Sequence, residues 1–158
     1  MSTDHCPVCA ELAGRITAPG GPVYRDAWWE VAHHTGAYTD PGELIVKARR
    51  HVESIAELTP EEAASIGPIL RAAVAAIERV VQPERVYVAS YNERVRHVHF
   101  FLLPRTSSLP AGHVLSDLYR NARIRLRHGK LIRNPTTADR AAAVERLRSD
   151  DAWKSLSI

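Results

Sequence analysis

The sequence lacks any long apolar run and contains few cysteines. No run in its 158 residues approaches the roughly 20 apolar positions of a membrane-spanning helix, and the start MSTDHCPVC has neither a basic leader nor a hydrophobic segment. We therefore expect a cytoplasmic protein. Because thiols stay reduced in that compartment, the two cysteines predict a metal or redox pair rather than a disulfide.

The composition is typical of one globular domain. Hydrophobic residues make up 45% of the chain and charged residues 25%, which is enough for one sizeable core. The net charge of +3 is modest. One short segment nevertheless gathers six basic side chains: Arg120, Arg123, Arg125, Arg127, Lys130 and Arg133. Such a cluster is most often a solvated helix face, and binding of an anionic ligand is the second interpretation.

Four segments have the alternation or the short apolar runs of β-strands. They are residues 21–34, 43–52, 85–91 and 97–103, with strand pattern also extending over 50–55 and 94–105. Together they favour an antiparallel sheet. In the first segment Trp28 and Trp29 are adjacent, so their side chains should lie on opposite sides of the strand.

A long helix that ends at about Val81 is predicted between the second and third strand segments. Thr59 is a hydroxyl N-cap and Pro60 suits the first helical position, and two carboxylates follow. Its apolar positions recur at helical spacing and should cover one face of the sheet: Ile66, Leu70, Val74, Ile77 and Val81. Two further helices are predicted at 116–128 and 137–148. We expect residues 111–158 to form a helical extension packed on a domain of residues 1–110.

Histidines occupy alternate positions in the fourth strand segment. On a strand, the two-residue period would place His97 and His99 on one face, about 7 Å apart. Packing, metal binding and catalysis are all compatible with this pattern.

A CPVC motif at Cys6–Cys9 is the second chemical signal. A thioredoxin-like redox pair would follow a strand, but only five residues precede Cys6. Zinc is the better interpretation, since two thiolates at this spacing can reach one tetrahedral ion. The site would need two more ligands, and all eight histidines are available by composition. Two ordinary buried cysteines are the alternative.

Three stretches, in order and spacing, resemble the histidine-triad (HIT) superfamily of nucleotide hydrolases and transferases. They are CPVCAELAG, GELIVKARRHVESIAELTPEE and HVHFFLLPR, and the resemblance covers about residues 6–105. It implies an α+β fold with an antiparallel sheet of about five strands. It also implies a homodimer in which two sheets run together, with the helix that begins at Pro60 near the joint.

The resemblance also implies a zinc site. In zinc-containing HIT proteins the ion is held at positions that correspond here to Cys6, Cys9, His51 and His97. Such a site would be closed and structural, and metal binding would be part of folding.

The resemblance assigns catalysis to His99. The corresponding histidine of the family attacks the α-phosphorus of a nucleotide and forms a nucleotidyl-histidine intermediate. Neutral imidazole suits this reaction, and a backbone carbonyl can fix its tautomer. Asn92 matches an asparagine that contacts ribose or phosphate, and Arg94 would add charge beside a phosphate. A buried histidine with main-chain partners is the alternative for His99.

Three positions depart from the family pattern. Phe101 stands where the third triad histidine would contact substrate, and a phenyl ring offers no hydrogen bond. Glu43 replaces a histidine of the middle motif, and His34 stands where an acidic residue usually meets the ribose. A register that makes His99 the closing triad histidine and Val95 the first position would place the PR pair two residues late.

The function implied is hydrolysis or nucleotidyl transfer on a nucleoside phosphoanhydride or phosphoramidate, with His99 as nucleophile and a nucleotide or nucleotide-derived small molecule as ligand. The alternative is a HIT-fold nucleotide-binding protein without turnover. A nucleic-acid binder that uses residues 120–133 is a third, less favoured class.

Overall fold

A five-stranded antiparallel sheet forms the centre of the structure, a computed structural model that describes residues 5–156 apart from the side chains of residues 113–117. The strands lie in the order β1-β2-β3-β5-β4. Their bounds are β1 Pro22–Arg25, β2 Trp29–His33, β3 Leu44–Ala48, β4 Arg85–Ala89 and β5 His99–Arg105. The α+β class is therefore confirmed. The ends of the predicted domain and of its helical extension, residues 1–4 and 157–158, lie outside the described residues.

The fifth strand arises because the first predicted segment is a hairpin. Asp26 Oδ1 accepts hydrogen bonds from the backbone N–H groups of Trp28 (2.8 Å) and Trp29 (2.7 Å), which fixes the turn between β1 and β2. Trp29 is fully buried whereas Trp28 is exposed. The burial of the two rings agrees with the expected opposite placement, although Trp28 precedes β2.

Two predicted strand ends are wrong. β3 stops at Ala48 and β5 starts only at His99, so residues 50–55 and 94–98 are not strand. Val98 bonds to both sides of this break: its carbonyl accepts from Ala48 N–H (3.1 Å) and its N–H donates to the Val52 carbonyl (2.8 Å). Residues 49–51 therefore loop out of the ladder and carry His51 away from the sheet.

Helix α2, Pro60–Val81, has the bounds that the sequence predicts. Thr59 and Glu62 form a reciprocal capping box, in which Glu62 N–H donates to Thr59 Oγ1 (3.2 Å) and Thr59 N–H donates to Glu62 Oε2 (2.8 Å). The helix ends at Gln82, whose φ of 53° is left-handed.

The face that α2 buries is rotated from the predicted stripe. The fully buried apolar residues are Ile69, Ala72, Ala73, Ala76 and Ile77, whereas the other predicted stripe positions are only partly buried. The small alanine side chains let the helix lie close to the sheet, and the larger residues pack along its flanks.

The main core lies between α2 and one face of the sheet. Leu44, Val46 and Leu102 come from the two central strands and are fully buried with Trp29 and Val31. Each such aliphatic side chain stabilises the fold by about 1.5–3 kcal/mol. The side chains that alternate with these core residues lie on the opposite face of the sheet. Among them, Ile45 pairs with Phe101 and Lys47 pairs with His99.

Three further helices complete the chain. Helix α1 spans Pro7–Leu12, α3 spans His113–His128 and α4 spans Thr137–Arg148. Helix α3 begins three residues earlier than predicted, and α1 was not predicted. α4 packs on β1 and α2 through Val144 and Leu147, and Trp153 of the following 3-10 helix (Asp151–Leu156) stacks on Tyr24 with ring centroids 5.2 Å apart. Within residues 5–156, none of these helices has the length and hydropathy needed to cross a bilayer.

Candidate functional site

Helix α1 places the two cysteines one turn apart. Cys6 is its N-cap, Pro7 fills the first helical position, and Cys9 lies one turn into the helix. A helix of six residues is not stable on its own, so it needs anchoring contacts with the rest of the protein. Cys6 and Cys9 make such contacts, with His97 and His51.

The four predicted zinc ligands come together. His97 Nδ1 is 3.4 Å from Cys6 Sγ and 3.6 Å from Cys9 Sγ, and His51 Nδ1 is 3.3 Å from Cys9 Sγ. All four ligand atoms lie within 4.8 Å of one another. A tetrahedral zinc ion, with Zn–S near 2.3 Å and Zn–N near 2.0 Å, separates its ligand atoms by about 3.3–3.8 Å. The donor set and its spacing therefore fit zinc.

Hydrogen bonds and burial prepare His97 for a metal. Its Nε2 lies 2.7 Å from the Ala48 carbonyl and donates to it, so the Nδ1 lone pair faces the sulfur atoms. Burial lowers the pKa of His97 to about 4, which keeps the ring neutral. Burial, reinforced by the neighbouring Cys6, raises the pKa of the Cys9 thiol to about 11. A divalent cation would reverse that shift by binding the thiolate.

Ion pairs tie the arm that carries these cysteines to the sheet. Lys47 is 1% exposed and pairs with both Glu11 of α1 and Glu30 of β2, the latter at 3.1 Å. Beside His51, Arg50 pairs with Glu62 of α2 at 2.7 Å. The ligand segments are thus held by contacts that do not involve the metal ligands themselves.

A cavity of about 800 Å³ opens on the sheet face opposite α2. Its size suits a nucleotide-sized ligand. Its lining includes the predicted nucleophile His99, the predicted substrate positions Asn92, Arg94 and Phe101, and also His34 and Arg120. The exposed Trp28 does not line it.

His99 has the tautomer that nucleophilic attack requires. Its Nδ1 lies 2.6 Å from the His97 carbonyl and donates to it, so the Nε2 lone pair remains unused. His97, by contrast, is buried beside the cysteines and precedes β5. The strand period therefore applies to His99 and Phe101, which share the cavity, whereas His97 lies beside Cys6 and Cys9.

Asn92 adds an acceptor to the cavity. Its φ of 52° is left-handed, a conformation that asparagine tolerates better than most residues. Its Oδ1 is buried and has no hydrogen-bond partner among the described residues, and a ligand hydroxyl would satisfy it. Arg94 is exposed at the cavity edge.

His34, one of the three positions that depart from the family pattern, lines the cavity. Its Nδ1 accepts from Gly36 N–H at 2.8 Å, which leaves the proton of the neutral ring on Nε2. Its edge meets Phe101, with ring centroids 5.7 Å apart. Burial, with the Arg120 cation as second cause, lowers the pKa of His34 to about 4, so the ring stays neutral.

Three arginines of α3 form a stripe that faces the β2–β3 loop, residues 34–43. Arg120 pairs with Glu43 at 3.0 Å, and Arg123 and Arg127 pair with Asp40 at 3.3 Å and 2.5 Å. The prediction of a solvated face is therefore wrong for these three. Arg120 was missed because no local pattern shows which of the basic residues of α3 meets the cavity.

Comparison with known proteins identifies the fold of this chain. No protein-family model and no curated protein matches the sequence. A Hit-like protein from Bartonella henselae matches with a TM-score of 0.67 at 14% identity, over 92% of this chain and 96% of that one. A Zn-bound histidine triad family protein from Mycobacterium smegmatis matches with a TM-score of 0.65 at 19% identity, over 98% and 97%.

A HIT family protein from Bacillus anthracis matches with a TM-score of 0.58 at 21% identity, over 84% of this chain and all of that one. These three matches span 84–98% of this chain. Identities this low establish the fold alone. The chain therefore has the histidine-triad fold.

Proposed function

We propose that this protein is a zinc-binding HIT-type hydrolase or nucleotidyltransferase that acts on a nucleoside phosphoanhydride or phosphoramidate. The observation that carries the proposal is His99, which lines a nucleotide-sized cavity with Nδ1 bonded to the His97 carbonyl and Nε2 unused. Asn92 and Arg94 are the proposed contacts to ribose and phosphate.

In the proposed reaction, the Nε2 lone pair of His99 attacks the α-phosphorus and forms a P–N bond. The bond from phosphorus to the leaving group breaks, and the leaving group takes the electron pair together with, where it is an amine, a proton from solvent. Water or another acceptor then attacks the same phosphorus, its proton passes to solvent, and the P–N electron pair returns to Nε2. The Nδ1–H bond to the carbonyl holds the ring in place throughout.

Zinc has a structural role in this proposal. Two cysteines and two histidines fill all four positions of a tetrahedral ion, so no position remains for substrate. Bound there, zinc would join α1 to the loop after β3 and to the segment before β5.

A nucleotide-binding protein without turnover is the second candidate. Phe101 favours it, because the ring lies in the cavity and cannot donate to a phosphate. A nucleic-acid binder is less well supported, since three of the six basic residues of segment 120–133 already pair with Asp40 and Glu43.

We also propose that the protein is a homodimer. β4 is an edge strand, and Val88 on it and Tyr91 just beyond it are exposed, as are Leu118 and Tyr119 of α3. Pairing of two β4 edges would extend the sheet and cover this apolar surface.

Incubation with labelled nucleoside phosphoramidates and phosphoanhydrides of the four common bases tests the function. The hydrolase predicts release of a nucleoside monophosphate by the wild type and none by His99→Asn. Binding of a nucleotide without release of product would favour the second candidate.

A further inference from the structure

Arg120 occupies the space beside Phe101. Its guanidinium carbon lies 5.0 Å from the centroid of the Phe101 ring, within cation–π range. Phe101 is two residues from His99 on β5, so the two side chains share a face about 7 Å apart. The cation therefore lies on the part of the cavity wall next to the proposed nucleophile.

Glu43 holds this guanidinium from behind. Arg120 Nη2 donates to Glu43 Oε2 at 3.0 Å, while Glu43 Oε1 accepts from Asp40 N–H at 2.8 Å. Glu43 is 1% exposed and does not line the cavity, whereas Arg120 does. The carboxylate thus orients the cation without presenting its own charge to a ligand.

Part of the guanidinium remains unpaired. Arg120 Nε is buried and has no hydrogen-bond partner, and among the described residues the group bonds only to Glu43. Arg105 and Arg127 also have an unpaired Nε, but neither side chain lines the cavity. A planar guanidinium can bind a carboxylate through one nitrogen and a phosphoryl oxygen through another.

Docking of α3 does not by itself explain this arrangement. Arg123 and Arg127 already attach the helix to Asp40, and Arg127 also donates to the Tyr38 carbonyl at 2.8 Å. Arg120 differs from them because it alone of the three borders the cavity.

We infer that Arg120, oriented by Glu43 and Phe101, binds the phosphoryl anion that His99 attacks; this inference rests on the proposed function. The three side chains form one unit, in which an arginine from α3 supplies the donor that Phe101 cannot. His34 also contacts the Phe101 ring, with ring centroids 5.7 Å apart, and adds a neutral N–H donor. The substrate group recognised is an anionic phosphoryl group, whatever base it carries.

Binding of 5′-mononucleotides and of the matching nucleosides to Arg120→Gln tests the inference. We use AMP, GMP, CMP and UMP with adenosine, guanosine, cytidine and uridine. Loss of one charge-assisted contact should weaken mononucleotide binding roughly tenfold to a hundredfold and leave nucleoside binding unchanged. Arg123→Gln is the matched control, since it removes an ion pair of the same helix outside the cavity.

Arg120→Gln leaves the buried Glu43 without its partner, so the double variant Glu43→Gln/Arg120→Gln is measured beside it. The double variant replaces the ion pair with two neutral amides. It should show the same selective loss of mononucleotide binding, with zinc content and Tm near those of the wild type. Equal weakening of nucleotides and nucleosides, or no weakening, would overturn the role of Arg120 while wild-type turnover still supports the proposed function. A wild type that binds and hydrolyses no nucleotide would overturn both.

Discussion

Removal of the metal should destabilise the protein by a measurable and specific amount. The proposed ligands come from three segments: α1, the loop after β3 and the residues before β5. Of these, α1 is too short to fold alone. An ion that binds only the folded chain stabilises it by about 4.1 kcal/mol when its free concentration is 1,000 times Kd. For a chain of 158 residues, 1 kcal/mol changes Tm by about 2–4 °C, so chelation should lower Tm by about 8–16 °C.

The measurement combines metal analysis with thermal melts. Wild type should hold one zinc per chain, and Cys6→Ser and His51→Ala should lose it and melt at the temperature of the chelated wild type. His5→Ala is the matched control, because His5 is exposed, adjoins Cys6 and is not one of the four ligands. A metal-free wild type whose Tm does not respond to a chelator would refute the zinc site.

Three further predictions follow from the cavity and the sheet edge. Phe101→His should change kcat/KM less than about tenfold, because Arg120 already covers the ring; a hundredfold gain would show that the phosphate lacks that contact. Val88→Asp should convert the dimer into a monomer, as measured by sedimentation at micromolar concentration. A wild type that is already monomeric would contradict the proposed dimer. The pKa of His34 is lowered from 6.5 to about 4 by burial and by the Arg120 cation, with His33 and His99 adding to the effect, so below pH 6.5 the unfolded chain takes up a proton that the folded chain does not. Acidification from pH 6.5 towards 4 should therefore reduce the free energy of unfolding by up to about 1.4 kcal/mol per pH unit, and a wild type no more acid-sensitive than His34→Gln would contradict this.

Local signals in the sequence predicted those features of the structure that depend on residues close together in the chain. Thr59 and Pro60 predicted the start of α2, and its end at Val81 is also as predicted, because capping and helix termination depend on neighbouring residues. The adjacent tryptophans predicted side chains on opposite sides, and one ring is buried while the other is exposed. The resemblance to HIT proteins brought together Cys6 and His97, which are 91 residues apart and have no local signal in common.

Other features depend on contacts that no local pattern encodes. Residues 49–51 loop out of the sheet because Val98 bonds to Ala48 and to Val52, so the strand predicted through His51 ends early. The buried face of α2 follows its alanines, since the distance between helix and sheet favours small side chains there. Arg120 reaches the cavity only because α3 docks on the β2–β3 loop.

The central claim is that His99 forms a covalent bond to phosphorus. The wild-type protein is mixed with a nucleoside phosphoramidate and denatured within the first turnovers at alkaline pH, which preserves the P–N bond. Its intact mass is then measured by mass spectrometry, followed by peptide mapping. We predict a mass gain of one nucleotidyl group, which is a nucleoside monophosphate less one water, on the peptide that carries His99. His99→Asn should show no gain and should keep its zinc, because His97 and not His99 is among the four proposed ligands. Turnover by His99→Asn at the wild-type rate, or a nucleotide attached at another residue, would contradict the account.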